Sequence, residues 1–365
     1  MVMYELDYKK FWEENEKCFE PFTTSKPRVP VKLPFDDHFL FEDVSIESTV
    51  RYYHDRDFRL RMNRLCNDRM EKAIGMRFFD EEEKMTVSPN RFEVIMGAHW
   101  EYSEGGTPWL ESTVEDIEDV KKLISRAEKL DMEKEAFPDE WYAEKERVEK
   151  ETGIKLDYGS RGHRGPATMA TSILGTENTC IFIMEEPDVM KSFFEVLTEK
   201  MVEYHKALLK ATNSELKPGY WITDDNCYLF PPDKYEKFCA PFLERIFREF
   251  APAPNDYRYQ HSDSAMGHLM PILNDLGVNN VNFGPTIHPA EIRKAMPRAV
   301  IHGQIPPFTL RNGSADEIIE TVKRDIDAAG RDGGLVATTA GSIAAGTSYD
   351  NIKIFLWAVN EYGRY

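Results

Sequence analysis

No stretch of the chain reaches the roughly 18 consecutive apolar residues that a membrane-crossing helix needs, and the opening Met1-Val-Met-Tyr-Glu-Leu-Asp-Tyr8 carries no apolar core of a secretory leader. A cytoplasmic protein with no membrane partner is expected. Cysteine is scarce and scattered: the five residues Cys18, Cys66, Cys180, Cys227 and Cys239 include no Cys-x-x-Cys pair, which is poor material for a disulfide framework or a thiolate zinc site. Positive charge is in deficit, with a formal net charge of -18 and no basic stripe, which argues against nucleic acid and anionic membrane surfaces as partners. Nor does any strand-like segment lead into Gly-x-Gly-x-x-Gly, so a dinucleotide-binding open sheet is disfavoured.

What is present is a repeated unit of apolar run, polar tip and amphipathic helix. Tyr220-Trp-Ile-Thr223 leads through Asp224, Asp225 and Asn226 into a helical pattern at 234–247, and Tyr257-Arg-Tyr-Gln260 leads through His261, Ser262 and Asp263 into one at 269–276. The series continues with Val278-Asn-Asn-Val-Asn-Phe-Gly284 before 289–296, Ala299-Val-Ile-His-Gly-Gln304 before 315–326, and Gly334-Leu-Val-Ala-Thr-Thr339 before 351–359. Strands alternating with helices imply a parallel sheet, and units of this length favour closure into a (β/α)8 TIM barrel. One barrel domain over 1–365 is expected, with 1–75 as an N-terminal extension. The extension opens on a helix near 8–16, continues as a proline-rich arm that packs across the barrel or reaches a second copy in a homodimer, and ends in amphipathic helices over 46–75. Further on, 92–102 reads as a strand pair, Ser112 as a helix cap and Ile154–Tyr158 as a strand.

In a barrel, the C-terminal strand tips converge on one pocket, so Asp224, Asp225, His261, Asp263, His302 and Gln304 form the first constellation, with His261 at its centre. Two chemistries fit. Asp225 and His261 can hold a zinc ion with an open position, or His261, Asp225, Asp263 and His302 can act as acids and bases alone. Each residue also has a bland alternative: Asp224 and Asp225 as helix caps, His302 as an inner-layer residue, Gln304 as a bridge between backbone groups. A second glycine-rich stretch, Arg161-Gly-His-Arg-Gly-Pro166, places Arg161, His163 and Arg164 at the barrel mouth, where guanidinium forks suit substrate carboxylates, unless the arginines pair with local acids. A third, His99 to Trp109, offers His99, Tyr102, Glu104 and Trp109 to a substrate, although a histidine beside Trp100 is more often a packed one.

From about Leu65 to the end, the chain resembles the uroporphyrinogen decarboxylase superfamily. The resemblance is carried by Thr223-Asp-Asp-Asn226, Pro231-Pro-Asp-Lys-Tyr-Glu-Lys-Phe-Cys-Ala-Pro241, Gln260-His-Ser-Asp263, His302-Gly-Gln-Ile-Pro-Pro307, Thr309-Leu-Arg-Asn-Gly313 and Asp350-Asn351. It implies a single barrel that either decarboxylates tetrapyrroles or exchanges methyl groups with a corrinoid. The decarboxylases' carboxylate-clamping Arg-Gln-Ala-Gly-Arg-Tyr segment has no counterpart in the arm, and the His-x-Cys zinc pair of the thiol methyltransferases is replaced by His261-Ser-Asp263. Arg91-Phe-Glu-Val-Ile-Met-Gly97, Glu101-Tyr-Ser-Glu-Gly-Gly-Thr-Pro-Trp109 and Arg161 to Pro166 look most like the branch that demethylates methoxylated aromatics. The resemblance therefore implies a methyltransferase moving a methyl group from a small O-methyl donor to the cobalt of a cobalamin-type corrinoid on a transiently docked partner protein, with decarboxylation of an acidic substrate on Arg161 and Arg164 as the alternative. In that branch's metal pattern, Asp225 and His261 match the outer positions while the middle acidic position falls on Ala240, beside Cys239, and Gly341-Ser342 stands where relatives place a histidine.

Overall fold

The computed structural model describes residues 4–82, 85, 87–153, 155–159 and 161–365. Two strands form an antiparallel hairpin, β1 (His99–Glu101) with β2 (Trp109–Glu111). Six others form one parallel sheet in chain order: β3 (Gly162–Arg164), β4 (Gly219–Thr223), β5 (Tyr257–Ser262), β6 (Asn280–Phe283), β7 (Val300–His302) and β8 (Leu335–Val336). Sequential parallel strands with a helical crossover between neighbours wind in one direction and curl into the (β/α)8 barrel.

The proline-rich arm lies in the wall of this barrel. Pro30 accepts a hydrogen bond from the Ala337 amide at 2.8 Å and Lys32 donates one to the Ala337 carbonyl at 3.1 Å, so Val31 runs parallel to the end of β8. The arm is anchored behind by the helix Tyr8–Asn15. Asn15 bonds Val31 through both its amide groups, at 2.8 and 3.0 Å. The fully buried Arg28 guanidinium stacks on Phe11, 3.9 Å from the ring centroid, and donates to Asn15 Oδ1 and to two backbone carbonyls. A cation this deep persists because both terminal nitrogens are met by fixed acceptors and its Nε lies 3.8 Å from the Glu14 carboxylate.

Side chains alternate across each strand. His163, Ile222, Gln260, Val281, Ile301 and Leu335 occupy one register row and point at the helices, as the hydrogen bond between Tyr220, of the same parity, and His205 of the helix Pro187–Thr212 shows. The opposite parity faces the lumen. One lumen ring is Gly162, Trp221, Tyr259, Asn280 and Val300; the next toward the C-terminal mouth holds Arg164, Thr223, His261 and Asn282, with His302 beside Val336.

Where local expectations differ, tertiary contacts explain it. Phe92–Ile95 is a short helix, with Phe92, Glu93 and Ile95 buried, and the strand begins only at His99. The helix expected at Ser112 starts at Ile117, because Asp116 caps its first turn while the Ser112 hydroxyl is spent on the Ile173 carbonyl. Residues 155–158 form no strand, Ile154 and Ser160 lie outside the described residues, and the pairing begins at Gly162. Among the described residues, no helix is long and apolar enough to cross a membrane.

Candidate active site

The mouth of the barrel brings Asp225, His261 and Asp263 together. β5 ends at Ser262 and β4 at Thr223, so the tips of two adjacent strands present their polar residues at one height. His261 Nε2 lies 3.8 Å from Asp225 Oδ1 and 3.4 Å from Asp263 Oδ1, and the Asp263 amide donates to Asp225 Oδ1 at 2.8 Å. One ligand atom from each of the three lies within 4.8 Å of the others.

Asn282, absent from the sequence-derived list, sets the protonation of this histidine. Its Nδ2 donates to the carbonyls of His302 at 2.5 Å and Thr339 at 3.0 Å, which fixes the amide orientation, and its Oδ1 accepts from the Gly341 amide at 3.1 Å. The same oxygen lies 2.7 Å from His261 Nδ1, so Nδ1 must be the donor. In the neutral ring, Nε2 therefore presents a lone pair to two carboxylates. Such a convergence is relieved by a proton or by a cation. Without a cation, burial is the largest influence and pulls the imidazole down, but Asp263, Asp225 and Asn282 together outweigh it and raise its basicity above the ordinary range. The donor set of one imidazole nitrogen held by a hydrogen bond behind it and two carboxylates on an open face fits zinc with a vacant position, so Asp225, His261 and Asp263 would hold the ion. Of the residues that could stand in for the missing middle position of the resemblance's pattern, Asp263 lies beside Asp225 and His261, whereas Ala240 and Cys239 are buried at the start of the helix Ala240–Phe250.

Gly341 is required where it stands. Its φ is +88°, and a Cβ there would sit 2.5 Å from Asp263 Oδ1. Gly341→Ala should cost about 1–2 kcal/mol of stability through backbone strain and displace Asp263, visible as a lowered melting temperature.

Several expected members of the site lie elsewhere. Asp224 is fully buried on the helix side, where its Oδ1 accepts from the Thr168 amide at 2.7 Å and caps the helix Pro166–Leu174. Burial raises its carboxyl to about 7. Gln304 is also fully buried, and its Nε2 bridges the carbonyls of Gly284 and Ile287 at 3.2 and 2.9 Å, so it holds backbone and not substrate. His302 faces the barrel interior but is buried, bonded to Asn280 Oδ1 at 3.1 Å, and burial pushes it down to about 3. It is neutral, and although it stands in the ring of His261 its imidazole turns down toward Asn280 and Tyr259.

The mouth cations are likewise redistributed. Arg161 and His163 share the parity that points at the helices: Arg161 is 2% exposed beside Tyr220 and His205, and His163 packs among the rings of Phe92, Tyr204 and His205. Arg164 faces the mouth, but its Nε is bonded to the buried Glu93 at 3.0 Å. Glu104 accepts from the Ser48 hydroxyl at 2.6 Å and the Thr49 amide at 2.9 Å, which caps the helix Thr49–His54 and lowers its pKa. Tyr102 packs on His54 and Tyr53. Trp109, 72% exposed, borders a cavity of about 480 Å³ shared with Arg164 and Asn226 at the edge of the mouth. His99 stands on the exposed face of the hairpin, its Nε2 3.3 Å from Glu101 and 3.6 Å from Glu111.

Both fold and mouth define a (β/α)8 protein with a polar site at its strand tips. The chain belongs to the uroporphyrinogen decarboxylase family, whose model matches residues 93–362. The match begins at the short helix before β1, later than the Leu65 at which the resemblance was drawn. Among solved structures, a methyltransferase from Methanosarcina mazei shares the fold, with a TM-score of 0.61 and 17% identity over 98% of this chain and 99% of that one. None of the curated proteins is similar in sequence.

Proposed function

We propose that this protein is a methyltransferase, and that it moves a methyl group from an O-methylated substrate, a methoxylated aromatic, to the cobalt of a corrinoid carried by a partner protein. The observation that supports this best is the convergence of Asp225 and Asp263 on His261 Nε2 with Nδ1 occupied by Asn282. Removing a methyl group from oxygen requires that the departing alkoxide or phenoxide be stabilised as it forms. Zinc bound by Asp225, His261 and Asp263 would supply a Lewis acid for that oxygen. In its place, the protonated His261, favoured by the two carboxylates, can deliver a proton from Nε2 to the same oxygen. Asn282 keeps the ring oriented in either case. The Methanosarcina neighbour bears the name of a methyltransferase on the same fold, which adds weight to methyl transfer over decarboxylation. The alternative needed Arg161 and Arg164 as a clamp for an acidic substrate, and the first is buried behind the sheet while the second is paired with Glu93.

The test mixes the purified protein with methoxyarenes and a reduced corrinoid protein and follows the visible absorbance of the corrinoid. Methylation that depends on both protein and methoxyarene is the expected result. Carbon dioxide release from an aromatic acid without corrinoid methylation would replace this reading with the decarboxylase one. Metal analysis of protein purified without chelator should find close to one zinc per chain, and Asp225→Ala should lower it. Zinc that survives both Asp225→Ala and His261→Ala would place the ion elsewhere.

A further inference from the structure

A barrel lumen is ordinarily filled by layers of branched apolar side chains. This one is not. The ring beneath His261 consists of Gly162, Trp221, Tyr259, Asn280 and Val300, and the residue below Tyr259 on β5 is Tyr257. Trp221 is 42% exposed and Tyr257 41% exposed, although both stand on strands whose opposite faces are sealed against helices. Large aromatic surface left open to water on the inner face of a barrel sheet is unusual unless something covers it. The walls are flat and aligned: the rings of Tyr257 and Tyr259 stack with an interplanar angle of 6°, and the Trp221 indole lies so close over β3 that a Cβ at Gly162 would fall 1.8 Å from it. Asn280 and Val300 also line a cavity of about 330 Å³ between Pro21, Phe22 and the turns entering β6 and β7, at the N-terminal end of the barrel.

One cation faces the same space. Lys32 alternates with the buried Val31 and Leu33 on the arm, so it points to the lumen side, where its ammonium lies 5.7 Å from the Phe19 ring centroid and acts on His302. No carboxylate pairs with it among the described residues. Solvent reaches Lys32, yet surrounding protein holds its ammonium below the ordinary range, as fits a chamber and not an outer surface.

We infer that the lumen beneath His261 is a binding chamber for a small aromatic carboxylate, with the ring against Trp221, Tyr257 and Tyr259 and the carboxylate directed to Lys32. A planar ring matches the stacked walls and an anion matches the unpaired ammonium. The cavity beside Pro21, Phe22, Asn280 and Val300 lies at the end of the barrel that a protein docked over the C-terminal mouth would leave clear. Identifying this ligand with the methyl donor rests on the function proposed above; its binding does not.

Calorimetric titration of the full-length protein, without corrinoid, tests the inference using 4-methoxybenzoate, benzoate and the neutral 4-methoxybenzamide. Both carboxylates should bind. Lys32→Met should weaken the carboxylates by about tenfold or more, the worth of one charge-assisted contact, while leaving the amide within about twofold. Trp221→Ala should weaken all three. Trp109→Ala, at the rim, should change none. Absence of carboxylate binding to the wild type, or loss with Trp109→Ala but not with Lys32→Met and Trp221→Ala, would overturn the chamber. Lys32 is solvent-exposed and its removal leaves the core intact, so a folding failure at Trp221 would not obscure the result. Benzoate has no methyl group to give. Binding of 4-methoxybenzoate with no corrinoid methylation from it would therefore uphold the chamber and count against the methyl-transfer reading, and methylation without lumen binding would do the reverse.

Discussion

His261→Ala is expected to reduce turnover by about 10²- to 10⁴-fold, the usual contribution of a positioned acid or base, while the protein remains folded. The ring is only partly buried, and its contacts are polar ones to Asn282, Asp225 and Asp263, so its removal opens no apolar cavity. Asn282→Ala should cost less, about 10- to 100-fold, because it leaves the nitrogen in place but loses the hydrogen bond that fixes its tautomer. An Asn282 variant that bound zinc as tightly as the wild type would show that the amide serves the barrel wall alone. Activity of His261→Ala within about tenfold of wild type, roughly 1.4 kcal/mol, would remove the histidine from the mechanism.

Replacing His302 is expected to change the response to acid. Burial pushes this imidazole down to about 3 in the folded protein, whereas in an unfolded chain a histidine titrates near 6.5. Between those values the unfolded state binds a proton that the native state refuses, so His302 reduces stability as pH falls, by about 1.4 kcal/mol per pH unit and by about 4–5 kcal/mol near pH 3. Asp224 acts with the opposite sign. Its carboxyl, raised by burial to about 7, takes up a proton in the native state before the unfolded chain does, so stability rises as pH falls from about 7 toward 4. The total profile mixes both, which makes the difference between wild type and His302→Gln the quantity to measure. Denaturant titrations at several pH values should show the variant gaining on the wild type steadily below pH 6.5. Parallel curves from pH 7 to 4 would mean that the native structure admits water to His302.

How much of this was legible before any coordinates depends on the range of the interaction. Periodicity and composition are local, and they located all five parallel βα units from Gly219 onward and put His261 and Asp263 at one strand tip, because both follow an apolar run in a way that needs no partner to be noticed. Asp225 could be joined to them because barrel strand tips meet at one end whatever their sequence. Side-chain direction was not local in this sense. Whether Arg161, His163, Asp224 and Gln304 face the mouth or the helices turns on a single residue of register, and only the pairing of Gly162 with Trp221, and of its neighbours along the sheet, decides that parity. The same pairing brought forward residues that had no visible motif: Asn282, Lys32 and the lumen aromatics. Asparagines at 280 and 282 in one apolar strand, with Asn279 just before it, were the available signal, since asparagine is depleted in strands unless its amide is employed. Sequence alone thus determined the order of strands and helices from Gly219 onward and which polar residues stand at the β5 tip. The tertiary structure decided which side of the sheet each polar residue serves, because burial and hydrogen-bond partners come from segments as distant as the arm at Lys32 and the loop at Gly341.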